Sequence, residues 1–188
     1  MPGKTFAFPD LNADCSACAA LCCIALHFDK GDAFGFEKPA GTPCPNLAKT
    51  EFSCTIHKDL GPAGFDGCVR FDCRGAGQAV TQEVFKGKDW RSKPEILGDM
   101  MVAFSIMRQL HATLEILKIL SQLPLNQVES EILNNLFIDF APPSTGWTLK
   151  ALEELQFSGA FARYKTALPN FRSVANDPNA LAALRDPS

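Results

Sequence analysis

Eight cysteines carry the chemistry that this sequence suggests, and all of them lie between residues 15 and 73 of the 188-residue chain. Thiolates bind soft metal ions such as zinc and iron, and pairs of thiols can form disulfides. A high density of cysteine in a short segment therefore indicates either a metal centre or a disulfide framework. In chain order the cysteines are Cys15, Cys18, Cys22, Cys23, Cys44, Cys54, Cys68 and Cys73.

The amino-terminal residues favour a metal centre over disulfides. Disulfides persist in secreted and periplasmic proteins, whereas thiols stay reduced in the cytosol. A signal peptide contains an apolar run of about 7–15 residues, and residues 1–14, which include Asp10 and Asp14, contain no such run. We therefore expect a cytoplasmic protein whose reduced cysteines bind metal. Disulfides and unligated buried thiols are the alternatives.

The first four cysteines are predicted to share one helix. Residues 14–26 are rich in Ala, Leu and Cys, contain no Gly or Pro, and can be capped by Asn12 or Asp14. The four thiols would then lie within an arc of about 140° on one helical face. Because Cys22 and Cys23 diverge by about 100° on a helix, one metal ion does not readily take all four. This spacing favours a polynuclear site, or two sites that share the helix.

The later cysteines lie in a segment that is predicted to form loops and turns. Glycine and proline are frequent in residues 29–75, and brief strands or turns are expected at residues 52–57 and 68–73. Such a segment forms little regular structure by itself. A bound metal can supply the stability that it lacks.

Two histidines are candidate additional ligands. His57 follows Cys54 by three residues and His27 follows Cys23 by four. Imidazole binds zinc and replaces thiolate at some iron–sulfur centres. For both histidines, a role outside the metal centre is the more common one. The third histidine, His111, is expected to be an ordinary core or surface residue.

The order of the cysteines resembles that of the YkgJ-type CxxCxxCC family. The resemblance is carried by Cys15-x2-Cys18-x3-Cys22-Cys23, by the run GTPCPNL around Cys44, by the run CTIH that starts at Cys54, and by Cys68 and Cys73. This family is described as zinc- or iron-chelating, and flagellin lysine-N-methylases carry a similar cysteine region. Residues 21–91 are also similar to the leader region of some bacterial pentapeptide-repeat proteins. The resemblance implies a bacterial zinc- or iron-binding module.

Three departures from these relatives limit what the resemblance implies. Three residues rather than two separate Cys18 from Cys22, and the run GFDG precedes Cys68 where many relatives have an Arg-Pro pair. The chain contains no array of pentapeptide repeats. Since nothing in it resembles a methyltransferase domain, methylase activity is not expected.

The thiols suit several metal centres. Eight thiolates can hold two four-thiolate zinc sites, a zinc–thiolate cluster, or one or two [4Fe–4S] clusters. Closely spaced thiolates suit a polynuclear core, so an iron–sulfur cluster is slightly favoured and zinc is the alternative. Soft thiolate ligands exclude a magnesium or calcium site.

The second half of the chain is predicted to form three helices, at residues 94–123, 127–140 and 148–167. Ser92 is expected to cap the first helix, with Pro94 in its first turn. The tail from residue 170 is expected to hold a short helix and a frayed end. The apolar residues recur at helical spacing. Those expected to face the core are Met100, Phe104, Met107, Leu110, Leu114 and Leu117 in the first helix, Val128, Ile132, Leu133, Leu136 and Phe137 in the second, and Leu152, Leu155, Phe161 and Tyr164 in the third.

Together these patterns predict a mainly α protein. A cysteine-rich, loop-rich metal-binding module at residues 1–91, opened by a short helix, is expected to pack on a C-terminal three-helix bundle at residues 92–188. Residues 75–78 are expected to form a short glycine turn, and they lack the glycine pattern of a dinucleotide-binding loop.

The composition limits the partners. The net charge is −3 and no basic run is present, so nucleic-acid binding is not expected. No apolar stretch reaches the roughly 18 residues of a membrane span. Three functions remain: a metal or iron–sulfur protein with a redox, sensing or metal-handling role, a structural zinc module whose helical half binds a protein partner, or a metal-dependent enzyme with an open coordination position. The sequence does not decide whether the protein is an enzyme.

Overall fold

The structure is a computed structural model that describes residues 7–172. These residues are mainly helical, and they contain isolated β-bridges but no strand, which confirms the mainly α class. A π-helical turn, Val80–Val84, continues α3. The α-helices are α1 (Leu21–Ala25), α2 (Asp66–Val69), α3 (Ala76–Ala79), α4 (Leu97–Ser121), α5 (Gln127–Asp139), α6 (Leu149–Phe157) and α7 (Ala160–Ala167).

The long helix α4 is the central element of the fold. Pro94 lies in the short 3-10 turn Pro94–Ile96 that leads into it, as predicted. The predicted capping role of Ser92 is wrong, because its hydroxyl donates to the Asp89 carboxylate at 2.9 Å instead. The predicted apolar stripe of α4 is confirmed, since all six of its residues are buried: Met100, Phe104, Met107, Leu110, Leu114 and Leu117.

One apolar core joins the two halves of the chain across α4. Leu21 and Ile24 of α1 and Val80 after α3 are fully buried in the same cluster as the α4 stripe and the inner faces of α5 to α7. Burying one such side chain stabilises the fold by about 1.5–3 kcal/mol. The cysteine-bearing segments therefore rest directly on the helical half.

The predicted third helix is two helices. Ser158 and Gly159 separate α6 from α7, and Gly159 adopts the left-handed conformation with φ 79°. Glycine adopts this conformation without the steric cost that a Cβ atom brings, so it ends α6 sharply. Between residues 92 and 172 the chain consequently forms four α-helices, α4 to α7, where three were predicted. The expected structure of the tail beyond residue 172 lies outside the described residues.

The buried face of α5 differs from the prediction at one end. Asn126 and Glu129 form a capping box at the start of α5, and Glu129 is buried. This orientation directs Val128 outward, where it is 65% exposed. Leu133, Leu136 and Phe137 are buried as predicted.

The predicted helix over residues 14–26 is broken in its middle. Asp14 caps a 3-10 turn, Cys15–Ala17, after which Cys18 is extended and Ala20 is left-handed with φ 51°. The cause is tertiary hydrogen bonding of Ala19. Its amide donates to the Thr81 hydroxyl at 3.0 Å, and its carbonyl accepts from the Trp90 indole at 2.7 Å. The four sulfurs therefore do not share one helical face.

The segment between α1 and α3 consists mostly of loops, as predicted. Within it, residues 52–57 form turns with one isolated bridge, and Cys68 lies in α2 rather than in a strand. Rings of Phe28, Phe34, Phe36 and Phe65 pack on one another, with 4.3 Å between the centroids of Phe28 and Phe34. This small aromatic cluster holds the loops together.

None of the helices within residues 7–172 is long and apolar enough to cross a lipid bilayer.

His111 connects α4 to the loop that follows Cys73. Its side chain is 3% exposed, and its Nδ1 hydrogen donates to the carbonyl oxygen of Arg74. Burial lowers the pKa of His111 from its usual value of 6.5, although the Arg74 carbonyl and the charge of Glu83 oppose this shift. His111 is thus a core residue, which is one of the two ordinary positions that the sequence left open.

We expect the folded state to lose stability as the pH falls below about 6.5, because the unfolded chain then binds a proton at His111 that the folded chain resists. In His111→Gln, which keeps an amide donor but does not titrate, this contribution to the pH dependence should disappear. Urea unfolding at pH 7.5 and 5.5 measures the change in the free energy of unfolding between the two pH values, with the exposed His27→Gln as the control. An unchanged pH dependence in His111→Gln would contradict the assignment.

Candidate metal centre

All eight cysteines carry free thiols in the structure. Cys15 is exposed and the other seven are half-buried. They come from separate segments of the chain that the fold brings toward α1. Cys15 and Cys18 precede α1, Cys22 and Cys23 lie in it, Cys44 and Cys54 lie in the loops, Cys68 lies in α2, and Cys73 lies just before α3.

Cys22 and Cys23 form the central pair of this arrangement. Their sulfur atoms lie 4.0 Å apart, while the neighbouring residues Leu21 and Ile24 anchor α1 in the core. The amide of Cys44 donates to the Cys23 carbonyl at 2.9 Å, so the Cys44 loop is tied to α1. Contact with Cys23 and burial both raise the pKa of the Cys22 thiol.

One group of thiols, which we call the amino-terminal group, consists of Cys15, Cys18 and Cys73. Burial raises the pKa of Cys18 to about 11, and negative charge at Cys22 and Cys73 acts in the same direction. Burial also raises the pKa of Cys15, again with contributions from Cys22 and Cys73. These mutual effects show that the amino-terminal group lies within electrostatic range of Cys22.

A second group, the loop group, consists of Cys44, Cys54 and Cys68. Burial raises the pKa of Cys68 to about 11, and charge at Cys22, Cys44 and Cys54 adds to the shift. Burial raises the pKa of Cys44 as well, and charge at Cys54 and Cys22 adds to it. Cys22 therefore interacts with both groups.

The side chains do not form a closed ligand set. Among residues 7–172, no three His, Cys, Asp or Glu side chains lie close enough together to hold one metal ion. Loading a single metal ion would consequently require the thiols to rotate or the loops to move closer together.

The two candidate histidine ligands lie at the surface. His27 is exposed, with its Nε2 atom 3.1 Å from the Asp29 carboxylate. His57 is also exposed and starts the 3-10 turn His57–Asp59, where its amide donates to the Cys54 carbonyl at 3.3 Å. His57 is thus tied to the backbone of a cysteine, whereas His27 is paired with an aspartate.

Two cations near the thiols were not identified from the sequence. Lys38 is only 1% exposed, and burial lowers the pKa of its ammonium while charge at Cys44, Cys23 and Cys22 opposes this. Arg108 lies over the ring of Phe71, with 5.0 Å between its guanidinium carbon and the ring centroid. Burial lowers the pKa of Arg108, and charge at Cys73 and Cys22 opposes this. No local periodicity marks either residue, although Lys38 lies in the run KPAGTPC.

Helix α3 holds Cys18 in place through a glycine. The predicted turn at residues 75–78 is wrong beyond Gly75, because Ala76–Ala79 forms α3. A Cβ atom added to Gly77 would lie 2.6 Å from the Cys18 sulfur, and the Phe104 ring closes the same space at 3.8 Å. Cys18 therefore packs directly against the α3 backbone.

Comparison with known proteins finds that part of the chain is similar in sequence to part of a bacterial protein. The chain is 50% identical over 105 residues to "Uncharacterized protein YybG" of Bacillus subtilis (strain 168). The matched region covers 56% of this chain and 37% of that protein, so the chain spans well under half of the relative's length. No family model matches the chain, and no solved structure matches it.

Gly77→Ala should destabilise the protein by about 1–3 kcal/mol, because the added methyl group collides with the Cys18 sulfur. In a Cys18→Ala background the sulfur is absent, so most of this cost should disappear. Urea unfolding of the four proteins of this double-mutant cycle measures the coupling.

The matched control is Gly98→Ala in α4, where an added Cβ meets nothing within 4 Å. This change should be neutral or stabilising by up to about 1 kcal/mol, since alanine favours the helix. If Gly77→Ala costs the same with and without the Cys18 sulfur, the proposed contact is wrong.

Proposed function

We propose that the protein is a cysteine-ligated metal-binding protein that holds an iron–sulfur cluster or another polynuclear metal–thiolate centre, with a redox, sensing or metal-handling role. The observation that carries this proposal is the pair of Cys22 and Cys23 sulfurs, which lie 4.0 Å apart on α1 with the Cys44 loop hydrogen-bonded to the Cys23 carbonyl. The resemblance of the cysteine order to the YkgJ-type family supports the same conclusion. The eight cysteines are the proposed ligands, with His57 and His27 as further candidates.

The electrostatics of the thiols suit a cation. Burial raises the pKa values of Cys15, Cys18, Cys44 and Cys68, and contact with Cys23 together with burial raises that of Cys22; repulsion between negative charges on the thiols adds to these shifts. A bound cation removes this repulsion and stabilises the thiolates, so metal binding and deprotonation are coupled. The half-burial of the thiols also limits the access of water to the centre.

The spacing of the thiols favours a polynuclear centre over a single ion. Four thiolates that surround one zinc ion at about 2.3 Å lie about 3.8 Å from one another. The sulfurs of Cys22 and Cys23, 4.0 Å apart, approach this spacing. Among residues 7–172, no three His, Cys, Asp or Glu side chains form a group that could hold one metal ion. A larger core can be reached by more widely separated sulfurs, and an iron–sulfur cluster is such a core. Reduced thiols further require a reducing compartment such as the cytoplasm.

A structural zinc module is the second candidate. It is favoured by the long segment between α1 and α2, whose only helical element is the 3-10 turn His57–Asp59. Metal ligands could hold such loops together. In that case the helical half would bind a protein partner, for which Ile138 and Phe157 offer apolar side chains that are 74% and 87% exposed.

Anaerobic purification followed by visible spectroscopy and elemental analysis of iron, zinc and copper tests the proposal. We expect brown protein with stoichiometric iron. Cys22→Ser should lose most of the metal, because the charge of Cys22 acts on thiols of both groups, whereas Lys30→Met, a surface variant that changes no proposed ligand, should keep it. Colourless protein with stoichiometric zinc and every position filled would favour the structural module. Folded protein that takes up neither metal would contradict both candidates.

Metal affinity should rise with pH. Since thiols such as Cys18 and Cys68, each with a pKa of about 11, are protonated near neutral pH, a metal must displace their protons. We expect the apparent zinc affinity to increase by about tenfold per pH unit for each proton displaced. Competition with a chromophoric chelator at pH 6.5, 7.0 and 7.5 measures this, with iodoacetamide-blocked protein as the control. An affinity that does not change with pH would argue against thiol ligands.

A further inference from the structure

Lys38 is a buried cation held by backbone carbonyls. Its side chain is among the largest that are fully buried, and its ammonium lies 5.5 Å from the centroid of the Phe28 ring. The ammonium donates to the carbonyl oxygens of Thr42 at 3.0 Å, Pro39 at 3.1 Å and Ile24 at 3.4 Å. Lys38 thereby joins α1, which carries the central pair of thiols, to the loop that carries Cys44.

No carboxylate of the described residues forms an ion pair with this ammonium. Within residues 7–172, the ion pairs between side chains do not include Lys38. The acidic groups whose charges act on it are the thiols of Cys44, Cys23 and Cys22. A buried charge without a partner is strongly unfavourable, so a buried lysine normally has a counter-ion. Here the available counter-ions are thiolates.

We infer that Lys38 is the counter-cation of an anionic metal–thiolate centre, and this inference rests on the proposed function. When several thiolates surround a metal core, their negative charges exceed the positive charge of the core. A fixed ammonium that donates to the Ile24 carbonyl, one residue after Cys23, and to the Thr42 carbonyl, two residues before Cys44, offsets that excess. Lys38 is therefore a positioning residue for the metal centre: it contributes charge and ties two ligand-bearing segments together without binding the metal itself.

The carbonyl contacts alone do not explain a lysine at this position. The Ile24 carbonyl also accepts from the Gly41 amide at 2.8 Å, and the Pro39 carbonyl also accepts from the Thr42 amide at 3.3 Å. Two of the three carbonyls thus keep a backbone partner when the ammonium is absent. A neutral side chain could fill the space over Phe28 without burying a charge.

Two neutral variants separate the charge of Lys38 from its hydrogen bonds. Lys38→Met keeps the length of the side chain and removes both charge and donors, whereas Lys38→Gln removes the charge and keeps an amide donor. Lys30→Met is the matched control, since Lys30 is exposed. Each full-length protein is stripped of metal, and its zinc affinity is measured by chelator competition together with its urea unfolding midpoint without metal.

We expect both neutral variants to bind zinc about 10- to 100-fold more weakly than the unaltered chain, as is typical when a partner outside the ligand shell is lost. Their unfolding midpoints without metal should change little, because the loss of the carbonyl hydrogen bonds is offset by no longer burying an ammonium that lacks a counter-ion in that state. Lys30→Met should match the unaltered chain in both measurements. If Lys38→Met fails to fold, Lys38→Gln decides the question.

Two results would overturn the inference. In one, both neutral variants bind zinc as tightly as the unaltered chain. In the other, Lys38→Gln restores the affinity that Lys38→Met loses, which shows that Lys38 acts only as a hydrogen-bond donor. Failure of the unaltered chain to bind zinc or iron would instead remove the proposed function, and the inference with it.

Discussion

The packing of α1 and α3 against the apolar stripe of α4 is the interaction on which the rest of the structure depends. Leu21 and Ile24 fix α1 in the core, and this places Cys22 and Cys23 where loops from both sides can approach. The same packing presents Gly77 to Cys18. His111 on α4 holds the backbone next to Cys73. A core built from ordinary apolar side chains thereby positions segments that have little regular structure of their own.

Charge is the second constraint on the cysteine region. The thiols of this region are half-buried, and negative charges on them would repel one another. The same charges would favour the charged forms of two cations, Lys38 and Arg108. Each charge is costly to bury without a partner of opposite sign. Under the proposed function, thiolates around a metal core would offset both cations at once. In the absence of metal, protonated thiols avoid the repulsion.

The predictable parts of the fold are those that local sequence determines. The stripe of α4 follows from apolar residues at helical spacing, and it is buried as predicted. The break after Ala17 was not predictable, because it depends on hydrogen bonds from Ala19 to Thr81 and Trp90, far along the chain. The burial of Lys38 likewise depends on carbonyls that only the folded loops bring together. Gly159 carried a local signal, a glycine between two amphipathic stretches, which the long apolar pattern of residues 148–167 obscured.

X-ray absorption spectroscopy at the metal edge of the anaerobically purified protein tests the central claim most directly. It reports the type and distance of the atoms around the metal without a crystal. The account predicts a first shell of sulfur, at about 2.3 Å if the metal is zinc, together with scattering from a second metal atom. A first shell of oxygen and nitrogen would contradict thiolate ligation, and a sulfur shell without a second metal would contradict the polynuclear centre.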